Sequence, residues 1–233
     1  MIRASLALLA ALTSLPAAAA PISIRLDGFA YGYAAVDTSA QAGFIGAGEF
    51  SGQITRNGLT TSILTYCTDI YQGFSFGTTY NNYELVATGS THGFTTRQES
   101  LLGKLYTLAG AQVDTTNESA AFQLAVWEIV TESSSSLNVL GGSSLNLLGG
   151  SFYLEQGAST TQRNLANTWL AAIDSTSAAK NFTAQRLYSA TNQDFVIFTA
   201  RPPADSASVP APGTLALLGL ALAQLALVVR RKA

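Results

Sequence analysis

Apolar and polar positions alternate from residue 22 to residue 86, in a stretch rich in Tyr, Phe, Thr and Gly. A period of two sends successive side chains to opposite faces, so this stretch predicts a run of short antiparallel strands. Turn signals punctuate it at Asp27-Gly28, Asn57-Gly58 and Asn81-Asn82. Asn57-Gly58 suits a two-residue hairpin, because both residues tolerate positive φ. Residues 62–71, which carry Cys67, read as one strand of the run.

From Thr96 the period changes to that of a helix. Thr96 with Glu99 forms a capping box, Leu101, Leu102, Leu105, Tyr106 and Ala109 make an apolar stripe, and Gly110 offers a stop. A second helix follows Thr115 and Glu118, another box, with Phe122, Ala125, Val126 and Ile129 on its apolar face. A third is expected over residues 162–174, with Leu165, Trp169, Leu170 and Ile173 in register. Between the second and third lies a tandem octapeptide, residues 135–142 and 143–150, which reads as a loop or weak hairpin and lacks the Gly-Lys-Ser/Thr ending of a phosphate loop. Residues 186–200 return to strand around a turn at Asn192 to Asp194. Strands, helices, then strands predict an α+β domain, a β-sandwich or barrel lobe with an inserted helical lobe, over residues 20–200.

The two ends differ from this middle. Residues 1–19 have a basic start at Arg3, an apolar run and small residues before the expected cut, the pattern of a secretory signal peptide. Residues 201–212 are a Pro/Ala/Ser linker. Residues 213–229 carry no charge and Arg230-Arg231-Lys232 follow, so residues 213–233 predict one transmembrane helix with a basic cytoplasmic tail. Val209, Pro210, Ala211 and Pro212, then the span, then the basic tail resemble the PEP-CTERM sorting signal of Gram-negative bacteria, with Ala211 where that family has Glu. The resemblance implies an exosortase-type transpeptidase as a processing partner. It also implies export, initial anchoring in the inner membrane, and a final place at the cell surface or in the extracellular matrix.

Charge narrows the possible partners. Only 11% of the 233 residues are charged, and with Arg3, Arg230, Arg231 and Lys232 set aside the interior has eight basic against fourteen acidic residues, net −6. A surface of that sign repels a phosphate backbone, which excludes nucleic-acid binding through a basic footprint. One Cys and one His exclude a Cys/His zinc cluster and a disulfide within the chain, and no cofactor is implied.

Two side chains then stand out. A lone Cys is unusual in an exported chain, because oxidising compartments convert unpaired thiols. Cys67 can be a buried thiol acting as a small hydrophobe, or a reacting one. Gln123 lies between Phe122 and Val126 beside the packed stripe of the second helix, where an unpartnered amide costs about 1–3 kcal/mol. A bond to backbone would satisfy it. Together, Tyr66-Cys67 and Phe122-Gln123-Leu124-Ala125-Val126-Trp127 resemble the paired motifs of bacterial thioester domains. There an aromatic or Leu precedes Cys on a strand, and an apolar-Gln-x-x-apolar-Trp segment lies on a downstream helix.

That resemblance implies a Cys67–Gln123 thioester supported by Tyr66, Phe122, Val126 and Trp127. It implies a single-use bond former rather than a turnover enzyme, an adhesin-like protein that attaches covalently to an amine-bearing surface protein or matrix component. Asp69, two residues after Cys67 and so on the same strand face, is either a residue that orients the amide or a nucleophile or a solvated acid, and His92, the only imidazole, reads first as a flexible surface residue and otherwise as one that directs the acyl group towards hydroxyls. The alternative is an exported, matrix-associated structural protein with a buried free Cys67. A hydrolase using Cys67 with His92 as base requires a geometry that no motif signals.

Overall fold

In the computed structural model the described residues are 22–132, 145, 147–148, 150–174 and 177–202. They form strands β1 (Ile22–Phe29), β2 (Ala34–Thr38), β3 (Gln41–Ala47), β4 (Phe50–Arg56), β5 (Leu59–Cys67) and β6 (Thr79–Val86), then helices α1 (Thr96–Ala109) and α2 (Thr116–Thr131). β7 (Leu154–Gln156), helix α3 (Thr160–Ile173), β8 (Phe182–Tyr188) and β9 (Phe195–Ala200) complete them. Strands β1, β4, β5, β9, β8 and β6 close in that order into a barrel. All neighbours in it are antiparallel, which closure of six strands with no free edge permits. The helices fall between β6 and β8 in the chain, as an inserted lobe. A separate sheet in the order β3-β2-β7, which the strand pattern did not distinguish from the barrel, lies beside them.

Local signals position most of these elements. Asn57 and Gly58 take φ of 53° and 76° and turn β4 into β5, the hairpin their types favour. Asp27-Gly28 is not a turn: it lies inside β1 at a bulge where the register against β4 shifts. Across that bulge Gly52 packs so closely that an added Cβ would meet Arg25 O at 2.1 Å. Asn81-Asn82 is also inside a strand, β6, where the Asn82 amide bonds Ser189 and Thr191 at 2.9 Å each. Helix α2 starts at the expected Thr115/Glu118 box, α3 at a Ser159/Gln162 box two residues before its expected start, and α1 at Thr95/Gln98, one residue earlier than the Thr96/Glu99 pairing. Helix α1 ends at Ala109 with Gly110 as its C-cap, where the stop is expected; Gly110 stays right-handed and leads into a 3₁₀ turn.

Helix α2 is buried all round from Ser119 to Ile129, more than its expected single apolar face. It packs on α1 and α3 on one side and on β2, β3 and β5 on the other, so no face is left for solvent. Of the tandem octapeptide, Leu145 and Leu147 are buried and most of the rest lies outside the described residues. The signal peptide, the sorting motif and the C-terminal span also lie outside them. Among the described residues no helix is long and apolar enough to cross a membrane.

Candidate functional site

Strand β5 outruns its partner. It pairs with β4 as far as Thr65 opposite Phe50, then only with β9, where Tyr66 faces Val196 and Cys67 faces Phe195. Beyond Phe50 the place of a continuing β4 is taken by α2. Ser119 Oγ accepts the Glu49 N–H at 2.8 Å. One helical turn on, Gln123 Oε1 accepts the Cys67 N–H at 2.9 Å, and Gln123 Nε2 donates to the Cys67 C=O at 2.9 Å. A single carboxamide thus replaces the missing strand and satisfies both backbone groups of Cys67. Cys67 and Gln123 are both fully buried, at the seam between barrel and helices. The N–H on Oε1 draws electron density from the amide carbonyl, whose carbon lies beside the residue that carries the thiol.

The sulfur is held separately. The Cys67 thiol donates to the Asp69 C=O at 3.1 Å, and Gln193 Nε2 donates to the sulfur. Burial pushes the thiol up to about 12; the Trp127 indole beside it, the contact with the Asp69 backbone and the Gln193 amide offset this only in part. The folded protein therefore holds a neutral thiol near pH 7.

Aromatic packing encloses the pair. Tyr66 stacks on Phe122 with centroids 4.4 Å apart, and Val126 and Trp127 are buried on the following turn. The Trp127 indole N–H has no hydrogen-bond partner. Glu49 is a buried carboxyl beside the Tyr66 hydroxyl, and desolvation pushes it up to about 7 despite that neighbour. A cleft of about 340 Å³ is lined by Trp127 and Gln193 together with Phe29, Phe50, Phe74 and Phe76, and Gln193 is also the residue that donates to the sulfur.

Of the two candidate modulators, Asp69 is placed differently from expectation, whereas His92 is an exposed surface residue. Because β5 ends at Cys67, Asp69 is not on a strand face; its carboxylate accepts the Tyr71 N–H at 2.9 Å in a tight turn, and only its backbone carbonyl touches the sulfur. His92 stacks on Tyr188 with rings 4.2 Å apart and 6° from parallel. No hydrogen bond links it to Cys67. Sequence reasoning missed Gln193, which read only as part of a turn, and Glu49. Glu49 does leave a faint trace, a lone acid inside the apolar stretch Gly46-Ala47-Gly48-Glu49-Phe50.

Fold and site define a barrel-and-helix domain with a buried Cys–Gln contact at its seam. No protein-family model matches the chain, and no curated protein matches it. Among solved structures it is similar to the N-terminal domain of the Streptococcus pyogenes pilus tip adhesin Cpa, at 13% identity and a TM-score of 0.42, over 82% of this chain and 98% of that one.

Proposed function

We propose that the domain closes an internal thioester between Cys67 and Gln123 and spends it once, attaching itself covalently to an amine-bearing partner. The observation that carries this reading is the two-ended grip of the Gln123 carboxamide on the Cys67 backbone at 2.9 Å in a fully buried site. Closure is an acyl transfer: Cys67 Sγ bonds to the Gln123 amide carbon, the carbon–nitrogen bond breaks, and the thiol proton leaves with the nitrogen as ammonia. The Cys67 N–H already stands on the oxygen where negative charge develops, and the Gln193 amide supports the sulfur. An amine then attacks the acyl carbon, giving an amide at Gln123 and a free thiol at Cys67. An amide has the resonance stabilisation that a thioester lacks, so the freed thiol does not reclaim the acyl group and the link is permanent.

The ends of the chain supply the place of action in this reading: export by the signal peptide, anchoring by residues 213–233, and processing by an exosortase-type transpeptidase. The protein then works as an adhesin-like attachment module at the cell surface or in the matrix.

One observation favours a second reading. Both amide atoms of Gln123 are satisfied by backbone, which is also what a purely structural clamp over a free thiol requires. Methylamine separates the two. Under the thioester reading, methylamine attaches at Gln123 and makes one thiol per chain newly reactive to maleimide in denaturant. A structural clamp gives one reactive thiol with or without the amine.

A further inference from the structure

Thr116, Ser119 and Gln123 stand at positions i, i+3 and i+7 of α2 and so run along one face of the helix. Each bonds to backbone outside the helix. Thr116 Oγ1 donates to the Tyr31 C=O at 2.6 Å, and Ser119 Oγ donates to the Gly32 C=O at 3.2 Å while it accepts the Glu49 N–H at 2.8 Å. Gln123 completes the ladder on Cys67. The backbone groups held in this way belong to three separate segments: the β1–β2 connection, the residue before β4, and the end of β5. Gly32 permits the close approach, with φ of 88° and so little room that an added Cβ would stand 2.7 Å from Thr116 Oγ1. Ser119 is fully buried, and its one hydroxyl ties two of the segments to the helix.

We infer that Ser119 is a positioning residue for ring closure: together with Thr116 it fixes the register of α2, so that the Gln123 amide carbon stands where Cys67 Sγ attacks; the inference rests on the thioester reading. Phe122, Leu124, Ala125 and Val126 are fully buried and apolar, and apolar burial is non-directional. It presses the helix onto the barrel without choosing strongly among small slides. Hydrogen bonds are directional, and a ladder of them does choose. A slip of one residue moves an α-helix about 1.5 Å along its axis and turns it by about 100°, which takes every rung off its partner. Closure needs finer placement still. Sγ bonds to the amide carbon, the carbon–nitrogen bond breaks and ammonia carries off the thiol proton, and a misplacement of about 1 Å costs on the order of a hundredfold in such a step. Gln123 cannot anchor the helix through this chemistry, because its Nε2 leaves and the bond to the Cys67 C=O goes with it. Ser119, one turn away and unchanged by the reaction, holds α2 in place while that rung is lost.

The experiment times closure by intact mass, as growth of the species about 17 Da lighter after refolding into buffer without denaturant, with tryptophan fluorescence reporting that each chain is folded. Wild type, Ser119→Ala, Ser119→Thr, Thr116→Val and Ile24→Val are compared. Ile24 is buried in β1 and has no part in the ladder, so Ile24→Val lowers stability alone. Ser119→Ala should close on the order of tenfold more slowly than wild type, and Ser119→Thr, which keeps the hydroxyl, should recover most of the rate. Thr116→Val should close roughly threefold more slowly. Ile24→Val should keep the wild-type closure rate while its urea midpoint falls. Closure of Ser119→Ala at the wild-type rate overturns the inference, and so does a slowing that Ile24→Val reproduces, since that is loss of stability and nothing more. If Ser119→Ala does not fold, the exposed Thr116 decides, and a wild-type rate in Thr116→Val overturns the inference. A wild type that never shows the light species removes the thioester reading and this inference with it, whereas a wild type that closes beside an unaffected Ser119→Ala removes this inference alone.

Discussion

Gln123 lies along Cys67 as a one-residue strand, accepting its N–H and donating to its C=O, both at 2.9 Å. The arrangement exists because β4 begins at Phe50, two residues too late to pair with the end of β5, and α2 fills the gap with Ser119 and Gln123 one turn apart. The same grip holds the amide carbon beside the thiol-bearing residue. Closure of the ring expels Nε2, so the grip describes the protein before the bond forms.

The energetic consequence is best read in a chain that cannot close. In a Cys67→Ala background both backbone groups at position 67 still bond to Gln123. Adding Gln123→Leu orphans one buried N–H and one buried C=O, at a cost of about 2–4 kcal/mol. Urea denaturation of the single and double variants checks this. A difference below about 0.5 kcal/mol would show that the grip contributes nothing to folding.

Glu49 makes stability depend on pH. Its pKa is raised from an ordinary 4.5 to about 7 by burial. At low pH the carboxyl is protonated in both folded and unfolded chains, and its burial adds no penalty. As pH climbs from 4.5 towards about 7 the unfolded chain loses the proton while the folded chain keeps it, so unfolding free energy falls. Above about 7 the loss is complete, at most about 3 kcal/mol. Glu49→Gln should flatten that window relative to wild type, leaving the Asp194 contribution, whose pKa is raised to about 6, in both proteins. Identical stability–pH slopes would contradict the assignment.

What could be read in the chain was local or came from paired motifs. The start of α2 was carried by its Thr115/Glu118 capping box, the β4–β5 hairpin by Asn57-Gly58, and the pair Cys67 and Gln123 by flanking apolar and aromatic residues. The failures share one cause, a contact made across distant parts of the chain. Asn82 looked like a turn residue because its partners, Ser189 and Thr191, are more than a hundred positions away. Asp69 was placed on a strand face because nothing local indicates that β5 ends at Cys67. Gln193 reaches the sulfur from 126 residues downstream, and its own neighbours announce only a turn.

Gln193 should set the speed of ring closure. Its amide N–H is a donor on the sulfur, which must give up its proton before it bonds to the Gln123 carbon, so the amide supports the sulfur as that charge forms. Gln193→Leu should slow closure on the order of tenfold, followed as the growth of the light species after refolding from denaturant. An unchanged time course would mean that the amide only fills space.

The chain ends give a cellular prediction. Removing residues 213–233 should release the exported domain in soluble form, because that segment is the expected membrane anchor. Replacing Pro210 and Pro212 together should stop processing while membrane retention persists. Fractionation and blotting report both, and normal processing of the double variant would remove the sorting-signal reading.

The intact mass of freshly folded domain tests the central claim most directly. Closure expels ammonia, so the thioester account predicts a species about 17 Da lighter than the sequence requires, with Cys67→Ala and Gln123→Ala both at full calculated mass. Partial hydrolysis adds a heavier companion without removing the light one. A wild-type domain found only at full mass, with its Cys67 thiol free once unfolded, would contradict the thioester and leave Gln123 as a structural clamp over a buried thiol.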